Sequence, residues 1–171
     1  MVDLAADGVE DHDGIERCYR RAYLFAAAFS AGVMIPIGFE YGFRHRLHVV
    51  STRPEHWEEP SFDLCDFIGA VNRMREAVPV FNEEGPQRAI VSPDRRVCTL
   101  VRKGERAPGW AVTLINLDHE QSSEARIADL DADMREGREV TPGASGDKTV
   151  SLAPGTAVEL APGEVRIFSS P

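Results

Sequence analysis

The sequence predicts an α+β fold in which two helices and one buried strand precede an all-β sandwich of Greek-key type. Two observations predict this fold. Before residue 82, apolar residues recur at helical spacing in two stretches, and after residue 86, short β-type runs alternate with turn sequences. The turn-rich run Asn82-Glu83-Glu84-Gly85-Pro86 lies between the two regions. We therefore predict a first domain over residues 1–81 and an antiparallel β domain over residues 82–171.

Composition narrows the function classes. The chain has 171 residues and a formal charge of −9, from 28 acidic and 19 basic residues. A surface that binds phosphates needs a basic face, so this balance argues against nucleic-acid and anionic-membrane partners. The N-terminus is acidic, unlike that of a signal peptide, and no apolar run approaches the ~20 residues of a membrane span. We expect a cytoplasmic protein.

The cysteines and histidines indicate no metal or disulfide chemistry. Cys18, Cys65 and Cys98 are odd in number and share no short metal-type spacing, a pattern that predicts buried, reduced thiols. No pair of histidines has the i, i+4 setting of a helical zinc site. We expect no metal and no cofactor.

The first helix is predicted from Asp13 onward. Asp13-Gly14-Ile15-Glu16 has the form of a capping box, which makes Asp13 the expected N-cap. Apolar residues then follow at three- and four-residue steps as far as Phe29. From Ala22 onward the opposite face is apolar as well, which predicts that the second half of this helix is buried on all sides.

A buried strand is predicted at residues 33–37, because this apolar run does not alternate and glycines bound it. Glu40 and Tyr41 follow the carboxyl end of the run. Loops at that end of a strand carry the ligand contacts of many α/β proteins, so both residues are candidate site residues.

The stretch from Gly42 to Pro60 has no regular period but contains three histidines, three arginines and Trp57. Arg44 and Arg46 flank His45, and with Trp57 they could form an anion-binding rim beside a stacking platform. The same charges would also suit a loop that faces water, which is the preferred interpretation. The sequence alone leaves both interpretations open.

A second helix is predicted over Asp63–Val78, with one apolar stripe, ending before Pro79. Two Leu-Ala-Pro-Gly sequences eight residues apart, at 152–155 and 160–163, predict two type II turns. The predicted strands after residue 86 are residues 88–92, 97–102, 110–117, 124–130, 148–152, 156–160 and 165–169.

The run Val33-Met34-Ile35-Pro36-Ile37-Gly38-Phe39-Glu40-Tyr41-Gly42 resembles the eighth strand and following loop of the α-amylase superfamily of glycoside hydrolases and transglycosidases. Within that superfamily, it is most similar to the bacterial maltosyl-transferring, glucan-building branch. The helix at Asp63–Val78 and the β-rich tail that closes on residues 164–168 continue the resemblance. It implies a two-helix, one-strand remnant of a (β/α)8 barrel followed by the superfamily's C-terminal β domain.

The resemblance also implies a function. The chain would be the C-terminal segment of an α-glucan-processing enzyme, with the rest of the barrel and an α-glucan or maltooligosaccharide as partners. The family's catalytic carboxylates lie on barrel strands four and five, upstream of this segment, so no catalytic residue is expected here. The expected substrate-binding residues are Glu40, Tyr41, Arg44 and Trp57, and a sugar-phosphate donor would suit the basic residues of the loop.

His12-Asp13 resembles the His-Asp pair of barrel strand seven, but the N-cap interpretation of Asp13 is preferred.

Two further expectations follow from the sequence. The chain could instead be a non-enzymatic carbohydrate-binding module, with Trp57 and Trp110 as sugar platforms; a strand suited to burial on both faces at residues 33–37 argues against this. A barrel strand without its neighbours leaves unpaired backbone groups, so a homodimer or aggregation is also expected.

Overall fold

The computed structural model describes residues 11–44, 47–48, 50–144 and 149–171. Most of the predicted acidic tail, His45, Arg46 and Lys148 therefore lie outside the described residues. Two helices come first, α1 at His12–Phe29 and α2 at Cys65–Ala77, and antiparallel strands follow from residue 87. The predicted fold class is confirmed in this order of elements. Within the described part of the chain, no helix is both long and apolar enough to cross a bilayer.

Helix α1 begins two residues earlier than predicted, because Asp11 and not Asp13 is its N-cap. The Asp11 carboxylate accepts a hydrogen bond from the N–H of Gly14 at 2.6 Å, and the Asp11 carbonyl accepts the first helical bond. The predicted burial of the second half on all sides is also wrong. Phe25 and Phe29 are 40% and 42% exposed, because no described residue fully covers that face of the helix. Their two rings stack on each other.

Helix α2 carries the predicted apolar stripe. Val71 is fully buried and Met74 nearly so, and both contact α1 in a shared core cluster. The side chain of Asp63 accepts from the N–H of Cys65 at 2.8 Å, which places Asp63 just outside the helix rather than in its first turn. Cys65 is exposed, which corrects the prediction of three buried thiols; Cys18 and Cys98 are buried.

Residues 33–37 do not form the predicted strand. The backbone between Ala31 and Ile37 is assigned to no helix or strand, and Met34 is 94% exposed while Ile37 is 58% exposed. Val33 and Ile35 pack against the core, so inward and outward side chains alternate. A strand needs a neighbouring strand to pair with, and none of the described strands lies beside this segment.

Six strands form one sheet in the order β1-β2-β3-β8-β5-β6, and β4 and β7 form a second sheet; every described pair is antiparallel. Strand β5 is the one that the sequence did not predict. Its residues are Glu-Gly-Arg-Glu, in which only the glycine is buried. The bounds are β1 Gln87–Val91, β2 Val97–Lys103, β3 Trp110–Asn116, β4 Ser123–Arg126, β5 Glu136–Glu139, β6 Thr149–Ser151, β7 Ala157–Leu160 and β8 Val165–Ser169.

Both faces of the six-stranded sheet are covered. On one face, alternate residues of β2, β3 and β8 pack against α1 and α2; on the other, the intervening residues pack against β4 and β7. Six of the seven residues of β2 and all seven residues of β3 are buried as a result. The helices therefore share a core with the β region, although the domain boundary near residue 82 stays a prediction.

The two Pro-Gly sequences form the predicted turns. The N–H of Thr156 donates to the carbonyl of Ala153, and the N–H of Glu164 donates to that of Ala161, each at 3.0 Å. The third residue of each turn, Gly155 or Gly163, has a positive φ, the conformation that this turn requires of a glycine.

Glu83 connects the residue-82 junction to the loop between β2 and β3. Its carboxylate is almost completely buried and accepts hydrogen bonds from the backbone N–H groups of Glu105, Arg106 and Ala107. Burial acts to raise the pKa of Glu83, but these three donors outweigh it and hold the pKa below its ordinary value. The charged carboxylate is therefore the form that the fold stabilises.

We expect this carboxylate to make stability depend on pH. A depressed folded-state pKa adds stability above the unfolded-state pKa, and that stability is lost as the pH falls through the folded-state value. Glu83→Gln should lower the melting temperature at about pH 7, and the deficit should shrink towards about pH 3, where the wild-type carboxylate is also neutral. Thermal unfolding across this range measures the effect, with exposed Glu136→Gln as the control. An equal deficit at both ends of the range would contradict it.

Candidate functional site

The Gly-Phe-Glu-Tyr-Gly sequence forms a single tight turn, Phe39–Tyr41, between two glycines with positive φ. Gly38 has φ 87° and Gly42 has φ 66°. A Cβ atom at Gly38 would overlap the ring of Phe43, and one at Gly42 would overlap the ring of Phe62. Both glycines are thus required by backbone conformation and by close ring packing.

Aromatic rings from α1, from the turn and from the loop after it lie in contact around the turn. The rings of Tyr19, on α1, and Phe39 lie 4.8 Å apart, and the Phe43 ring meets the Trp57 ring edge-on at 6.1 Å. Phe43 is buried, while Trp57 is 52% exposed. One side of the indole is therefore supported and the rest faces solvent.

These rings line a cavity of about 880 Å³. The residues that line it come from α1, from the turn and from the loop that follows the turn: Tyr19, Pro36, Ile37, Gly38, Phe39, Phe43, Arg44, Leu47, His48, Thr52, Arg53, Pro54 and Trp57. Arg44, His48 and Arg53 supply its basic side chains. The guanidinium of Arg53 donates to the carbonyls of Val50 and Thr52, which fixes it against its own loop. A cavity of this size, mostly apolar with a few polar groups, is typical of small-molecule sites.

The structure separates the four predicted site residues into two pairs. Arg44 and Trp57 line the cavity, and the N–H of Arg44 donates to the carboxylate of Glu58 at 2.5 Å. Glu40 and Tyr41 are not among the lining residues. Their roles in binding substrate stay predictions.

Glu40 and Tyr41 contact the start of α2 instead. The carbonyl of Glu40 accepts from the N–H of Leu64 at 2.8 Å, and that of Tyr41 accepts from the N–H of Ser61 at 2.9 Å. The thiol of Cys65 and the hydroxyl of Tyr41 form a hydrogen bond across 3.7 Å, and this hydrogen bond is the main cause that raises the pKa of Tyr41. These contacts fix the loop that follows residues 33–37.

Sequence reasoning missed three of the aromatic residues as site residues. Tyr19 lies among the apolar residues at helical spacing in the predicted first helix, and neither Phe39 nor Phe43 belongs to a sequence pattern that predicts a site. The sequence feature that marks Phe39 and Phe43 is the glycine directly before each of them, at Gly38-Phe39 and Gly42-Phe43. A glycine beside a ring often marks a close approach of backbone and side chain.

The structure also places Trp110, a candidate sugar platform, and His12-Asp13, a candidate barrel motif, away from the cavity. Trp110 is 4% exposed, and its indole N–H donates to the carbonyl of Asp133 at 3.1 Å, so its ring cannot serve as an exposed sugar platform. His12 is the first residue of α1, and its ring Nε2–H donates to the carbonyl of Ser61 while the ring meets the Phe62 ring edge-on. The side chain of Asp13 is 86% exposed.

Comparisons with known proteins give one sequence relative and two solved structures of interest. No protein-family profile matches the chain. The α-1,4-glucan:maltose-1-phosphate maltosyltransferase of Burkholderia pseudomallei is 31% identical over 97 residues, which are 54% of this chain and 8% of the relative. The chain thus matches less than a tenth of that enzyme's length.

The solved structures share the fold across nearly the whole chain. The γ-CGTase of the alkalophilic Bacillus clarkii has a TM-score of 0.63 at 15% identity, covering 94% of this chain and 23% of that enzyme. A maltogenic α-amylase from Thermotoga neapolitana has a TM-score of 0.61 at 16% identity, covering 90% of this chain and 36% of the enzyme. The sequence relative and both structures are α-glucan-processing enzymes of the α-amylase family. The chain therefore resembles the C-terminal part of α-amylase-family enzymes, as its sequence predicted.

Proposed function

We propose that this chain is the C-terminal segment of an α-glucan-processing enzyme of the α-amylase type, closest to the maltosyl-transferring branch. It would supply the last barrel strand and the β domain, and the catalytic carboxylates would lie on barrel strands outside this chain. Its partners would be the rest of the barrel and an α-glucan or maltooligosaccharide. The maltose 1-phosphate named for the sequence relative is the candidate donor.

The observation that carries this proposal is that residues 32–37 have the composition of a strand but no strand partner among the described residues. The segment is apolar and its side chains alternate between inward and outward over residues 32–36, yet it pairs with no described strand. The exposed Phe25–Phe29 pair lies on the α1 helix that immediately precedes this segment. A barrel strand and the helix before it would present these surfaces to the neighbouring strands and helix of the barrel.

Arg44 and Trp57 would then contact substrate from the loop that follows this strand. Trp57 offers an indole face for a sugar ring, and Arg44 offers donors for hydroxyl or phosphate oxygens. Glu40 would fix the loop, because its backbone is tied to the start of α2 and no described carboxylate is paired with it across a cleft.

The test compares the purified chain with the chain combined with the polypeptide that its gene encodes directly upstream. We expect no release of reducing sugar or phosphate by the chain alone, because a retaining glycosidase needs two carboxylates ~5 Å apart across the scissile bond. The combination should turn over maltooligosaccharide or maltose 1-phosphate, and removal of the upstream carboxylates should lower the rate by several powers of ten, roughly 10⁴-fold or more.

Two outcomes would contradict the proposal. If the upstream sequence encodes no barrel strands, the fragment interpretation fails. If the chain alone turns over substrate and Glu40→Gln abolishes that turnover while Glu136→Gln does not, Glu40 is catalytic and the chain is an enzyme by itself.

A further inference from the structure

Two histidines in the loop after the turn accept hydrogen bonds from the backbone through a ring nitrogen. Nδ1 of His48 accepts from the N–H groups of Val50 and Ser51, at 3.2 and 3.3 Å. Nδ1 of His56 accepts from the N–H of Arg53 at 3.0 Å. Because a backbone N–H can only donate, each of these ring nitrogens carries a lone pair and no proton.

The side chains of His48 and Arg53 hold the loop between them. The N–H of His48 donates to the hydroxyl of Thr52 at 2.6 Å, and the N–H of Thr52 donates to the carbonyl of His48 at 2.9 Å. The guanidinium of Arg53 donates to the carbonyls of Val50 and Thr52. Loss of the acceptor on His48 would therefore remove one of the two supports of this loop.

His56 links the same loop to the indole of Trp57. The N–H of His56 donates to the carbonyl of Arg53 at 2.9 Å, so His56 both donates to and accepts from the backbone of Arg53 and closes the single turn Pro54–His56. Trp57 follows this turn directly, and its ring meets the Phe43 ring edge-on. The position of the indole at the cavity wall thus depends on the turn that His56 closes.

We propose that His48 and His56 are positioning residues of the cavity, which hold Trp57 at its wall as neutral side chains and release it when they gain a proton. An imidazolium carries a hydrogen on both ring nitrogens, so it has no lone pair to offer a backbone N–H. Protonation and the three backbone contacts therefore exclude each other. Histidine is the side chain that ordinarily changes charge between about pH 8 and about pH 5, so we expect the wall to loosen across that range.

The other charged or titratable groups around this loop keep their charge over the same range. They are Tyr19, which faces the cavity from α1, and Arg44, Arg53, Glu55 and Glu58 on the loop itself. The lining residues that come from the turn are uncharged. Arginine and tyrosine ordinarily lose their protons above about pH 8, and glutamate ordinarily loses its proton below about pH 5. In the described part of the loop, the two histidines are therefore the groups that titrate.

The experiment measures acrylamide quenching of tryptophan fluorescence in the purified chain. Trp57 is 52% exposed and Trp110 is 4% exposed, so Trp57 supplies most of the quenchable signal. We expect the quenching constant to rise by up to about twofold between about pH 8 and about pH 5, since half of the indole is already exposed at the start. In Trp57→Phe the rise should disappear, and the unchanged signal of Trp110 should show that the core stays folded. A wild-type quenching constant that does not change over this range would overturn the proposal.

His48→Asn combined with His56→Gln separates the gain of a proton from the loss of a side chain. Asparagine accepts from the N–H two residues later in an Asx turn, and glutamine at the end of a capping box accepts from the N–H at its start, but neither gains a proton. We expect this variant to protect Trp57 equally at about pH 8 and about pH 5, whereas alanine at both positions should expose Trp57 throughout.

His119→Asn is the matched control, because His119 lies between β3 and β4 and does not line the cavity. It should keep the wild-type transition. Loss of the transition in His119→Asn, its persistence in the Asn and Gln variant, or a protected Trp57 in the alanine variant would each overturn the proposal.

The effect on substrate rests on the proposed function, whereas the quenching experiment does not. In the active combination with the upstream polypeptide, the KM for maltose 1-phosphate should rise more steeply towards about pH 5 in the wild type than in the Asn and Gln variant, while kcat should differ little. Identical KM profiles would overturn the effect on substrate. If the combination is inactive, the proposed function fails, and the quenching experiment still decides the role of the two histidines.

Discussion

Arg102→Met should lower the free energy of unfolding by about 3 kcal/mol, because it removes the donors for three carbonyl groups, two of them in buried hydrogen bonds. Arg102 lies on β2 and is 3% exposed. Its guanidinium donates to the carbonyls of Ala28 and Phe29, at the end of α1, and to the carbonyl of Glu83. In a chain of this size, the loss corresponds to a fall in melting temperature of about 10 °C.

The matched control for this substitution is Arg126→Met. The side chain of Arg126 is 73% exposed and, among the residues that the structure describes, forms an ion pair only with Glu124, so its loss should cost about 0.5 kcal/mol or less. Chemical denaturation of both variants measures the difference. Similar losses in the two variants would show that the carbonyls at the end of α1 find other donors, and the role assigned to Arg102 would be wrong.

Phe81→Ala should cost about 4 kcal/mol, the largest loss that we expect from a single apolar side chain in this chain. Phe81 is fully buried in the cluster that α1 and α2 share with the helix-facing side of the six-stranded sheet. Truncation of its ring leaves a cavity where three layers meet, and none of them can move in to fill it without losing its own contacts. Equilibrium unfolding followed by the fluorescence of buried Trp110 measures the loss.

Phe25→Ala provides the comparison, because it removes the same ring from a position that is 40% exposed. We expect it to cost about 1 kcal/mol, since much of that ring is already in contact with water. If the two truncations cost the same, the cluster around Phe81 is not a common core of the helices and the sheet.

The strands of the β region could be predicted well from the sequence because their patterns are local. The Pro-Gly turns at residues 154–155 and 162–163 fix where β7 begins and ends, and the β-branched residues of β3 mark a central strand. Strand β5 could not be predicted in this way. It depends on Gly137, where a Cβ atom would press on the ring of Trp110, a contact between residues 27 positions apart in the chain.

Residues 33–37 are the opposite case, because the sequence predicts a strand there that the structure does not contain. Their composition predicts a buried strand, but burial and pairing require neighbouring strands that the described residues do not supply. For the candidate site, Arg44 and Trp57 could be found because an arginine and a tryptophan stand out in a loop, whereas Tyr19 joins the cavity only through the packing of α1 on residues 36–39.

Strand β8 is last in chain order, yet it lies in the middle of the six-stranded sheet, between β3 and β5. During translation, the ribosome must release residues 165–169 before the β1-β2-β3 group and the β5-β6 pair have anything to join them. Until then the nascent polypeptide holds two separate sheet fragments, each with an open edge that can recruit the wrong strand. This sheet can therefore be completed only after residues 165–169 have left the ribosome, and its two fragments stay open to mispairing until then.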